Sequence, residues 1–343
     1  MIQNSKFQNA LRREAQACPP VWFMRQAGRY HRHYQALRSK NDFITLCKDP
    51  VLASEVALGP VLEFDFDVSI LFSDLLFPLE AFGMGLTYDP GPVLSTSLDE
   101  EQLKKFKDPE EAVKALEFQN VAMKLTREKL PKGKSLIGFI GGTWTLFTYA
   151  VEGAHKGGLE KSKVRLALYR KFCERMIPLL KLNIELQLRG GAEVVMIFDT
   201  SAGELDPELF TEIVTPSLNE LVRAYPGKVG YYAKGIQSAH LRHSVFNSEE
   251  LAGVGFDHRW DLRDVLRAPR NTHGFIQGNF DQSLLFLEPA QFEERALKYL
   301  TNLKGLSDIE RKGWVAGLGH GVLPGTPERN VKRYVELVRE VFK

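Results

Sequence analysis

The sequence predicts an α/β protein in which residues 1–343 form a single-domain (β/α)8 TIM barrel with a parallel eight-stranded core. Three observations predict this fold class. Eight short apolar runs recur along the chain, segments with helical periodicity lie between them, and polar residues follow each run directly. Most runs are near-continuous rather than alternating, which is typical of strands that are covered on both faces.

The predicted elements follow in chain order. Several helices begin with Pro or Asp near the first turn, a common helix start, and Pro226 with Gly227 ends one of them. No GxGxxG turn follows the first run, which weakens the alternative of a doubly wound open sheet. The predicted strands are residues 21–24, 68–72, 135–140, 193–198, 228–232, 253–256, 274–276 and 313–316, and the main predicted helices are residues 110–130, 164–188, 207–225, 261–268, 289–303 and 327–342.

The carboxyl end of every predicted strand carries polar, charged or glycine residues. In order, these ends read MRQAGR, FSD, GFIGGTW, FDTSAG, YAKG, FDHRW, QGNFD and GLGHG. Loops are generally polar, but a single charged residue directly after an apolar run is a more specific pattern. In a parallel barrel these ends converge on one face, so we expect the active site there.

Composition restricts the class of protein. The 343 residues, 44% hydrophobic and 26% charged, can bury a large core. A net charge of +2 without a dense basic run argues against a nucleic-acid partner. No apolar run could span a bilayer, and the N-terminus is predicted to be an amphipathic helix with Phe7 and Leu11 on one face, so we expect neither membrane insertion nor a secretion signal. Scattered Cys18, Cys47 and Cys173 favour a reducing, cytoplasmic location without disulfides or a cysteine-based metal site.

The segment VWFMRQAGRY, residues 21–30, is the most informative stretch. An apolar run ends in Arg25, Arg29 follows four residues later, and Gly28 permits a tight turn or a close approach to a ligand. A guanidinium group stays charged and matches a carboxylate or phosphate with two donors. Two of them at the mouth of a strand predict a site for an anion with several charges. Local sequence leaves structural salt bridges open as the alternative.

Three further polar residues follow predicted strands. Asp74 has apolar neighbours on both sides, and its burial would be costly without a partner or a function. Tyr149 follows a glycine-rich turn that could hold a phosphate but lacks the ending of a P-loop. Ser201 could donate a hydrogen bond to a ligand. The alternatives are a helix N-cap for Asp74 or Ser201 and a core hydroxyl for Tyr149.

Lysine and histidine offer other chemistry. Lys234 ends the fifth run, and a buried lysine there could form a Schiff base, as in aldolase-like enzymes. His320 lies between glycines, which leave room for a ligand. His31 and His33 could suggest a metal pair, yet no cysteine or carboxylate cluster completes such a site, so we expect them on a solvated loop.

Four motifs together resemble the uroporphyrinogen decarboxylase family over nearly the whole chain. They are VWFMRQAGRY, FSD at 72–74, GFIGGTWTL at 138–146 and GLGHGVLPGTPERNV at 317–331. The resemblance implies a (β/α)8 barrel, a homodimer and a reaction without a cofactor or metal. The implied substrate is uroporphyrinogen III, a cyclic tetrapyrrole that loses CO₂ from its four acetate arms to give coproporphyrinogen III.

The resemblance also implies the residues of the substrate cleft. Asp74 is expected to accept hydrogen bonds from the pyrrole N–H groups and to stabilise the cation that forms when a ring is protonated. Arg25, the second expected catalytic residue, would orient a carboxylate arm and is one candidate for proton delivery. The full substrate-binding set is Arg25, Gln26, Ala27, Gly28, Arg29, Arg38, Asp74, Tyr149, Ser201 and His320.

The sequence departs from the common family pattern in places. Thr143 replaces the usual proline before the tryptophan, and the segments DTSAG, GNFDQ and YHRHY also differ. Residues 83–92 are a candidate hairpin of a lid or dimer contact. Two alternatives remain: a non-catalytic tetrapyrrole-binding barrel, and a zinc-dependent corrinoid or thiol methyltransferase of the same superfamily. The methyltransferase requires a His-x-Cys pair, and no cysteine here has a histidine two residues before it.

Overall fold

The computed structural model describes residues 5–88, 91–153, 157–268 and 274–343. Seven of the strands in these ranges form one parallel sheet in the order β1-β4-β5-β6-β7-β8-β9, and β2 pairs with β3 in a separate antiparallel hairpin. The strands are β1 (Val68–Ile70), β2 (Leu86–Tyr88), β3 (Pro92–Leu94), β4 (Ser135–Gly141), β5 (Val195–Phe198), β6 (Val229–Tyr232), β7 (Leu251–Gly255), β8 (Phe275–Phe280) and β9 (Trp314–Leu318).

The seven strands of the main sheet overlap the second to eighth predicted runs, which confirms a parallel α/β sheet. The first predicted run differs. Val21 forms an isolated parallel bridge with Ala316 of β9, and its carbonyl accepts a hydrogen bond of 2.9 Å from the amide of Asp67 beside β1. A turn closed by the Gln26 amide and the Phe23 carbonyl then ends the extended segment. The first run is therefore too short to form a regular strand.

Helices connect the strands and cover the sheet. They are α1 (Ser5–Leu11), α2 (Arg32–Arg38), α3 (Phe43–Lys48), α4 (Pro50–Phe64), α5 (Phe77–Ala81), α6 (Glu100–Lys104), α7 (Pro109–Ala112), α8 (Glu117–Lys129), α9 (Thr143–Glu152), α10 (Glu160–Lys163), α11 (Leu166–Arg189), α12 (Pro207–Ala224), α13 (Leu262–Arg267), α14 (Pro289–Lys304) and α15 (Glu328–Val341). Short 3-10 helices span Val113–Leu116, Ala202–Glu204, His240–Arg242, Ser244–Asn247 and Gln282–Phe286.

The helix predictions succeed where a start signal is strong. Asp206 accepts hydrogen bonds from the amides of Glu208 and Leu209, and Pro207 occupies the first turn, so α12 begins where the sequence predicts. The predicted helix at residues 110–130 is wrong as a single element, since a 3-10 turn separates α7 from α8. No described helix is both long and apolar enough to cross a membrane.

Two apolar layers lie on the two faces of the sheet. An inner cluster includes Trp22, Met24, Met196, Phe198 and Tyr232, while a larger outer cluster lies between the strands and the helices. Successive residues of a strand point to opposite faces, so alternate side chains enter the inner cluster. This arrangement is TIM-barrel-like.

Helix α1 covers the amino end of the inner cluster. Phe7 is fully buried and packs on Phe275 of β8 with 5.9 Å between the ring centroids. Ala10, also buried, belongs to the same inner cluster. The amino end of the sheet is thereby closed by apolar side chains.

The hairpin of β2 and β3 confirms in part the segment predicted at residues 83–92. Leu86 pairs with Leu94 and Tyr88 pairs with Pro92. Residues 89–90, between the two strands, lie outside the described residues. The Tyr88 ring packs on Phe43 of α3, with 4.6 Å between the ring centroids, which fixes the hairpin against that helix.

Candidate active site

The loop after the first apolar run presents its two arginines at the surface and buries the glutamine between them. Arg25 and Arg29 are exposed, whereas Gln26 is fully buried. Arg25 adopts a left-handed backbone conformation with a φ of 59°. Such a φ costs free energy for a residue other than glycine and is found most often at functional sites.

Gln26 binds the protein rather than facing the cleft. Its amide oxygen accepts a hydrogen bond of 3.1 Å from the Phe23 amide, and its side-chain nitrogen donates to the Val68 carbonyl at 2.9 Å. Its own carbonyl accepts from the Tyr30 hydroxyl at 2.7 Å. Gln26 therefore fastens the loop to β1, and the neighbouring Ala27 and Gly28 remain half-buried beside the cleft.

The Arg25 side chain lies against the loop that follows β9. A Cβ atom on Gly321 would lie 2.6 Å from the Arg25 Cδ atom, so a larger residue would displace the arginine. The Arg25 charge lowers the pKa of His320 and opposes the rise in the pKa of Asp74 and Tyr149, second or lower in each case to the effect of burial. The loop after the first run, Asp74, α9 and the β9 loop thus meet around one guanidinium group.

Asp74 makes a structural hydrogen bond and is also partly accessible to a ligand. It is half-buried, and its Oδ1 atom accepts a hydrogen bond of 2.8 Å from the Leu76 amide just before α5. Burial raises the pKa of Asp74 above its usual value, and the Leu76 amide and the Arg25 charge oppose that rise. Asp74 can hold the Leu76 backbone just before α5 and also contact a ligand, because the Leu76 amide donates to Oδ1 and not to Oδ2.

Tyr88 is a neighbour of Asp74 that the sequence did not single out. Its hydroxyl is buried and lies close enough to interact with the Asp74 carboxylate, although it makes no hydrogen bond of regular geometry. Burial, followed by the Asp74 charge, raises the pKa of Tyr88. The contact joins β2 to a residue 14 positions earlier, and no local pattern predicts it.

His320 is neutral and has a defined tautomer. Burial, with the Arg25 charge second, lowers the pKa of His320 to about 4. The Tyr232 hydroxyl donates its single proton to the Gly319 carbonyl at 2.8 Å and also lies 3.0 Å from the His320 Nδ1 atom. Both contacts are satisfied together when Nδ1 donates to the Tyr232 hydroxyl, and we assign His320 that tautomer, in which Nε2 carries no proton.

Two hydroxyl groups follow β5, and they differ in burial. Ser201 is fully buried, and its hydroxyl accepts a hydrogen bond of 3.2 Å from Thr148 of α9. β5 ends at Phe198, whose ring points into the inner cluster, and Thr200 and Ser201 lie in the turn that follows. The contact with Thr148 places the Ser201 hydroxyl on the side of the helices. Thr200 is half-buried and is the hydroxyl that a ligand could reach.

Asp199, before these hydroxyls, belongs to the supporting structure. Its Oδ1 atom accepts hydrogen bonds from the amide and the hydroxyl of Thr145, at 2.8 and 2.6 Å. Burial raises the pKa of Asp199 to about 6, and the Thr145 donors oppose that rise. Asp199 therefore holds the start of α9, which carries Tyr149 toward the cleft.

Arg38 lies on α2 and is exposed. Its guanidinium group donates to the Asn41 carbonyl at 2.9 Å. Arg38 and Arg29 both oppose the rise in the pKa of Tyr34 that burial causes, so the two charges share one neighbour. The Tyr34 ring packs on Phe72, two residues before Asp74, with 5.7 Å between centroids. Arg38 is thus connected to the cleft through Tyr34.

One expectation about a single residue is wrong, and the alternative of a buried lysine that forms a Schiff base is disfavoured. His31 does not lie on a solvated loop: it is fully buried, and its Nε2 atom lies 2.8 Å from the Glu63 carboxylate on α4. Lys234 is not a buried lysine, because its side chain is exposed. Thr143 has a structural use, since its hydroxyl lies 2.8 Å from the hydroxyls of both Tyr169 and Ser217 and joins α9, α11 and α12.

Four cations around the cleft have no acidic partner among the residues that the structure describes. Within the described ranges, no ion pair involves Arg25, Arg29, Arg38 or Lys234. Unpaired guanidinium groups beside a half-buried carboxylate form a site that can bind a molecule with several carboxylates. This arrangement disfavours the alternative of structural salt bridges for the first loop.

Comparisons with known proteins agree with the motifs. The family model described as uroporphyrinogen decarboxylase (URO-D) matches residues 2–341. A uroporphyrinogen decarboxylase of Chlorobaculum parvum is 33% identical over 99% of this chain and 98% of the relative. A uroporphyrinogen decarboxylase of Campylobacter jejuni is 36% identical over 94% of each chain.

A solved methyltransferase from Methanosarcina mazei superposes with a TM-score of 0.78 and covers 99% of each chain. At 18% sequence identity this similarity shows a shared fold alone. The family model and the two relatives cover nearly the whole sequence, and the range that the family model matches spans all four motifs. The chain belongs to the uroporphyrinogen decarboxylase family.

Proposed function

We propose that this chain decarboxylates the acetate side chains of uroporphyrinogen III in tetrapyrrole biosynthesis and gives coproporphyrinogen III. The proposal rests chiefly on one observation: the half-buried Asp74 carboxylate and the unpaired Arg25 guanidinium group act on each other across one cleft. A flexible macrocycle with pyrrole N–H groups at its centre and carboxylates at its rim matches this pair.

Decarboxylation leaves two electrons that need an acceptor, and the substrate itself can supply it. When a pyrrole carbon is protonated, the ring becomes a cation that accepts those electrons as CO₂ departs, and the former acetate carbon becomes an exocyclic methylene. Protonation of that methylene and loss of the added proton from the ring carbon then give the methyl group, so one proton is consumed for each CO₂ released. Asp74 accepts hydrogen bonds from the pyrrole N–H groups and stabilises that cation. The carboxylate is fixed by the Leu76 amide before the substrate arrives, so little reorganisation is needed when the charge forms.

Arg25 and Arg29 bind carboxylate arms, and Arg38 binds a further arm at the edge of the cleft. One charge-assisted hydrogen bond contributes roughly 1.5–3 kcal/mol, so several together orient a polyanion. Arg25, or a water molecule that it holds, delivers the proton to the pyrrole carbon. Gly28 and Ala27 allow the macrocycle to approach the loop closely.

Tyr149, His320 and the hydroxyl after β5 complete the polar surface that contacts the arms. Thr200 takes the role that the sequence assigned to Ser201, since its hydroxyl is the accessible one. His320 presents an unprotonated Nε2 atom, which accepts a hydrogen bond from a protonated arm or takes up a proton when a carboxylate binds.

The finer architecture is part of the same proposal. Residues 20–22 act as the eighth strand and close a single-domain barrel, because Ala316 and Asp67 both hydrogen-bond to this segment. The molecule is a cytoplasmic homodimer. Val51 and Leu62 are exposed apolar side chains about three turns apart on α4, and each is a candidate contact with the second copy.

Turnover of enzymatically generated uroporphyrinogen III, kept reduced and dark, tests the activity. Chromatography should reveal intermediates that lose acetate carboxyl groups one at a time, ending in coproporphyrinogen III. The Asp74→Asn variant is the control for reaction in the cleft. Binding of the substrate without any loss of CO₂ would instead support a storage or regulatory barrel.

A further inference from the structure

A lysine follows the end of β6 beside the cleft. Tyr232 belongs to the inner cluster, and its ring stacks on His320 at 5.9 Å between centroids with an interplanar angle of 17°. β6 ends at Tyr232, but the alternation continues one residue further, since Tyr231 and Ala233 both belong to the outer cluster. Lys234 follows Ala233 in the turn, and its side chain is exposed. The charge of Lys234 contributes to the lowered pKa of His320, after burial and Arg25.

The backbone around Lys234 is held on two sides. Its carbonyl packs so closely on Gly203 that a Cβ atom there would lie 1.9 Å from the carbonyl oxygen. The next residue, Gly235, has a φ of 84° and donates its amide proton to the Asp257 carboxylate at 2.7 Å. An exposed ammonium group thus projects from a fixed backbone, which reduces the entropy lost when it binds a ligand.

The nearby acidic group is already neutralised. Asp257 is buried and accepts hydrogen bonds from the Arg259 amide and guanidinium group, at 2.9 and 2.6 Å, besides the one from Gly235. Lys234 itself forms no ion pair within the described ranges. Its charge therefore remains free for a ligand, beside a histidine that the proposed function already assigns to the cleft.

We propose that Lys234 is a carboxylate-binding residue for an arm of the tetrapyrrole that the arginines of the first loop do not hold. The inference rests on the proposed function, because the ligand is its substrate. The arm is either an acetate or a propionate, since both end in the same group. Lys234 acts by holding the substrate, and no bond to the amine forms during turnover.

Steady-state kinetics of Lys234→Gln test the inference. We expect the KM for uroporphyrinogen III to rise about five- to tenfold with kcat within about twofold, because a charge-assisted contact present throughout the reaction is lost. Lys234→Arg should recover most of the affinity. Lys171→Gln is the matched control, since Lys171 is also exposed but pairs with Glu100, and its KM should stay at the wild-type value.

Binding of the product identifies the arm. Coproporphyrinogen III retains only propionates, so weaker product binding by Lys234→Gln identifies a propionate, and unchanged product binding with a raised KM identifies an acetate. Failure of the wild-type enzyme to release CO₂ would reject the proposed function. A wild-type turnover with an unchanged KM in Lys234→Gln, or mass-spectrometric trapping of substrate on Lys234 by borohydride, would overturn this inference alone.

Discussion

The two ends of the sheet treat charge in opposite ways. At the amino end, Asp67 forms ion pairs with Arg339 and Lys6, and Glu193 forms an ion pair with Arg127. Acidic and basic groups therefore neutralise each other there. At the carboxyl end, Arg259 pairs with Asp257, whereas Arg25, Arg29, Arg38 and Lys234 have no acidic partner among the described residues. Charged residues of the same types therefore stabilise the fold at the amino end and remain available for a substrate at the carboxyl end. Each prediction below tests this division.

The largest effect is expected from Asp74→Asn. The variant keeps the contact to Leu76 through an amide oxygen but loses the negative charge that stabilises the pyrrole cation. We expect kcat to fall on the order of 10²–10³-fold while the folded structure persists. Turnover assays with circular dichroism measure both quantities.

Asp206→Asn is the matched control for Asp74→Asn, because Asp206 caps α12 away from the cleft. It should cost about 1 kcal/mol of stability or less and leave turnover intact. Near-wild-type turnover by Asp74→Asn would reject the electrostatic role of that carboxylate.

Gly321→Ala should disturb the carboxyl end alone. The new Cβ atom would lie 2.6 Å from the Arg25 Cδ atom, so the arginine must move while the backbone of residue 321 remains relaxed. We expect kcat/KM to fall about tenfold or more, since misplaced orienting groups are costly in catalysis. Gly305→Ala, after α14, is the control and should keep full activity. Equal activities for the two variants would contradict the assigned Arg25 position.

Asp67→Asn should disturb the amino end alone. The carboxylate is buried and accepts from the Val21 amide at 2.8 Å and from the Arg339 guanidinium group. Removing one partner of a buried pair leaves an uncompensated charge, so we expect the free energy of unfolding to drop by about 3 kcal/mol. Urea denaturation measures this loss, and kcat at a temperature where the variant is folded should stay within about twofold. A large loss of kcat would break the comparison.

His320 links stability to pH at the cleft. Its pKa is about 4 in the folded protein, below the ordinary value near 6.5 for an unfolded chain. The unfolded chain binds more protons between these values, so stability falls as the pH drops from about 6.5 toward 4. Over this pH range, protonation of His320 in the unfolded chain lowers the free energy of unfolding by at most about 3 kcal/mol. Urea unfolding of His320→Asn should show a smaller pH dependence than the wild type over that range, and an identical slope would contradict the shift.

The smallest effects are expected from the hydroxyl groups after β5. Thr200→Val should raise the KM about threefold, because a neutral contact to an arm is lost. Ser201→Ala should leave the KM unchanged and cost about 1 kcal/mol of stability, because its hydroxyl pairs with Thr148. Kinetics and urea denaturation of both variants distinguish the two roles, and the reverse pattern would restore the original assignment of Ser201.

Much of the fold was predictable because buried parallel strands leave a local signature. The seven strands of the main sheet coincide with continuous apolar runs, and the residues after them meet at one face. The first run, predicted as a strand, forms only an isolated bridge, and its pairing depends on Ala316 and Asp67, which are distant in the sequence. Helix 110–130 failed because helical periodicity does not distinguish one helix from two with a 3-10 turn between them.

The sequence predicts which charged residues meet at the site, but it does not predict which way each side chain points. Arg25 and Asp74 follow strands directly, so their convergence follows from topology. The burial of Gln26 depends on the Val68 carbonyl, which no local pattern reveals. The choice between Thr200 and Ser201 depends on the turn after β5 and on the contact with Thr148, which no local pattern reveals. Tyr88 reaches Asp74 only because the hairpin folds back.

The packing of Phe7 on Phe275 closes the amino end of the sheet with buried apolar side chains. A tetrapyrrole then has no passage through the centre, so entry and exit share a single opening. On the proposed mechanism Asp74 holds the pyrrole N–H groups at the centre of the ring, so each new arm would reach the reacting position when the macrocycle turns about that carboxylate, and CO₂ would leave through the same opening. Partly processed rings would accordingly leave and return in competition with fresh ones.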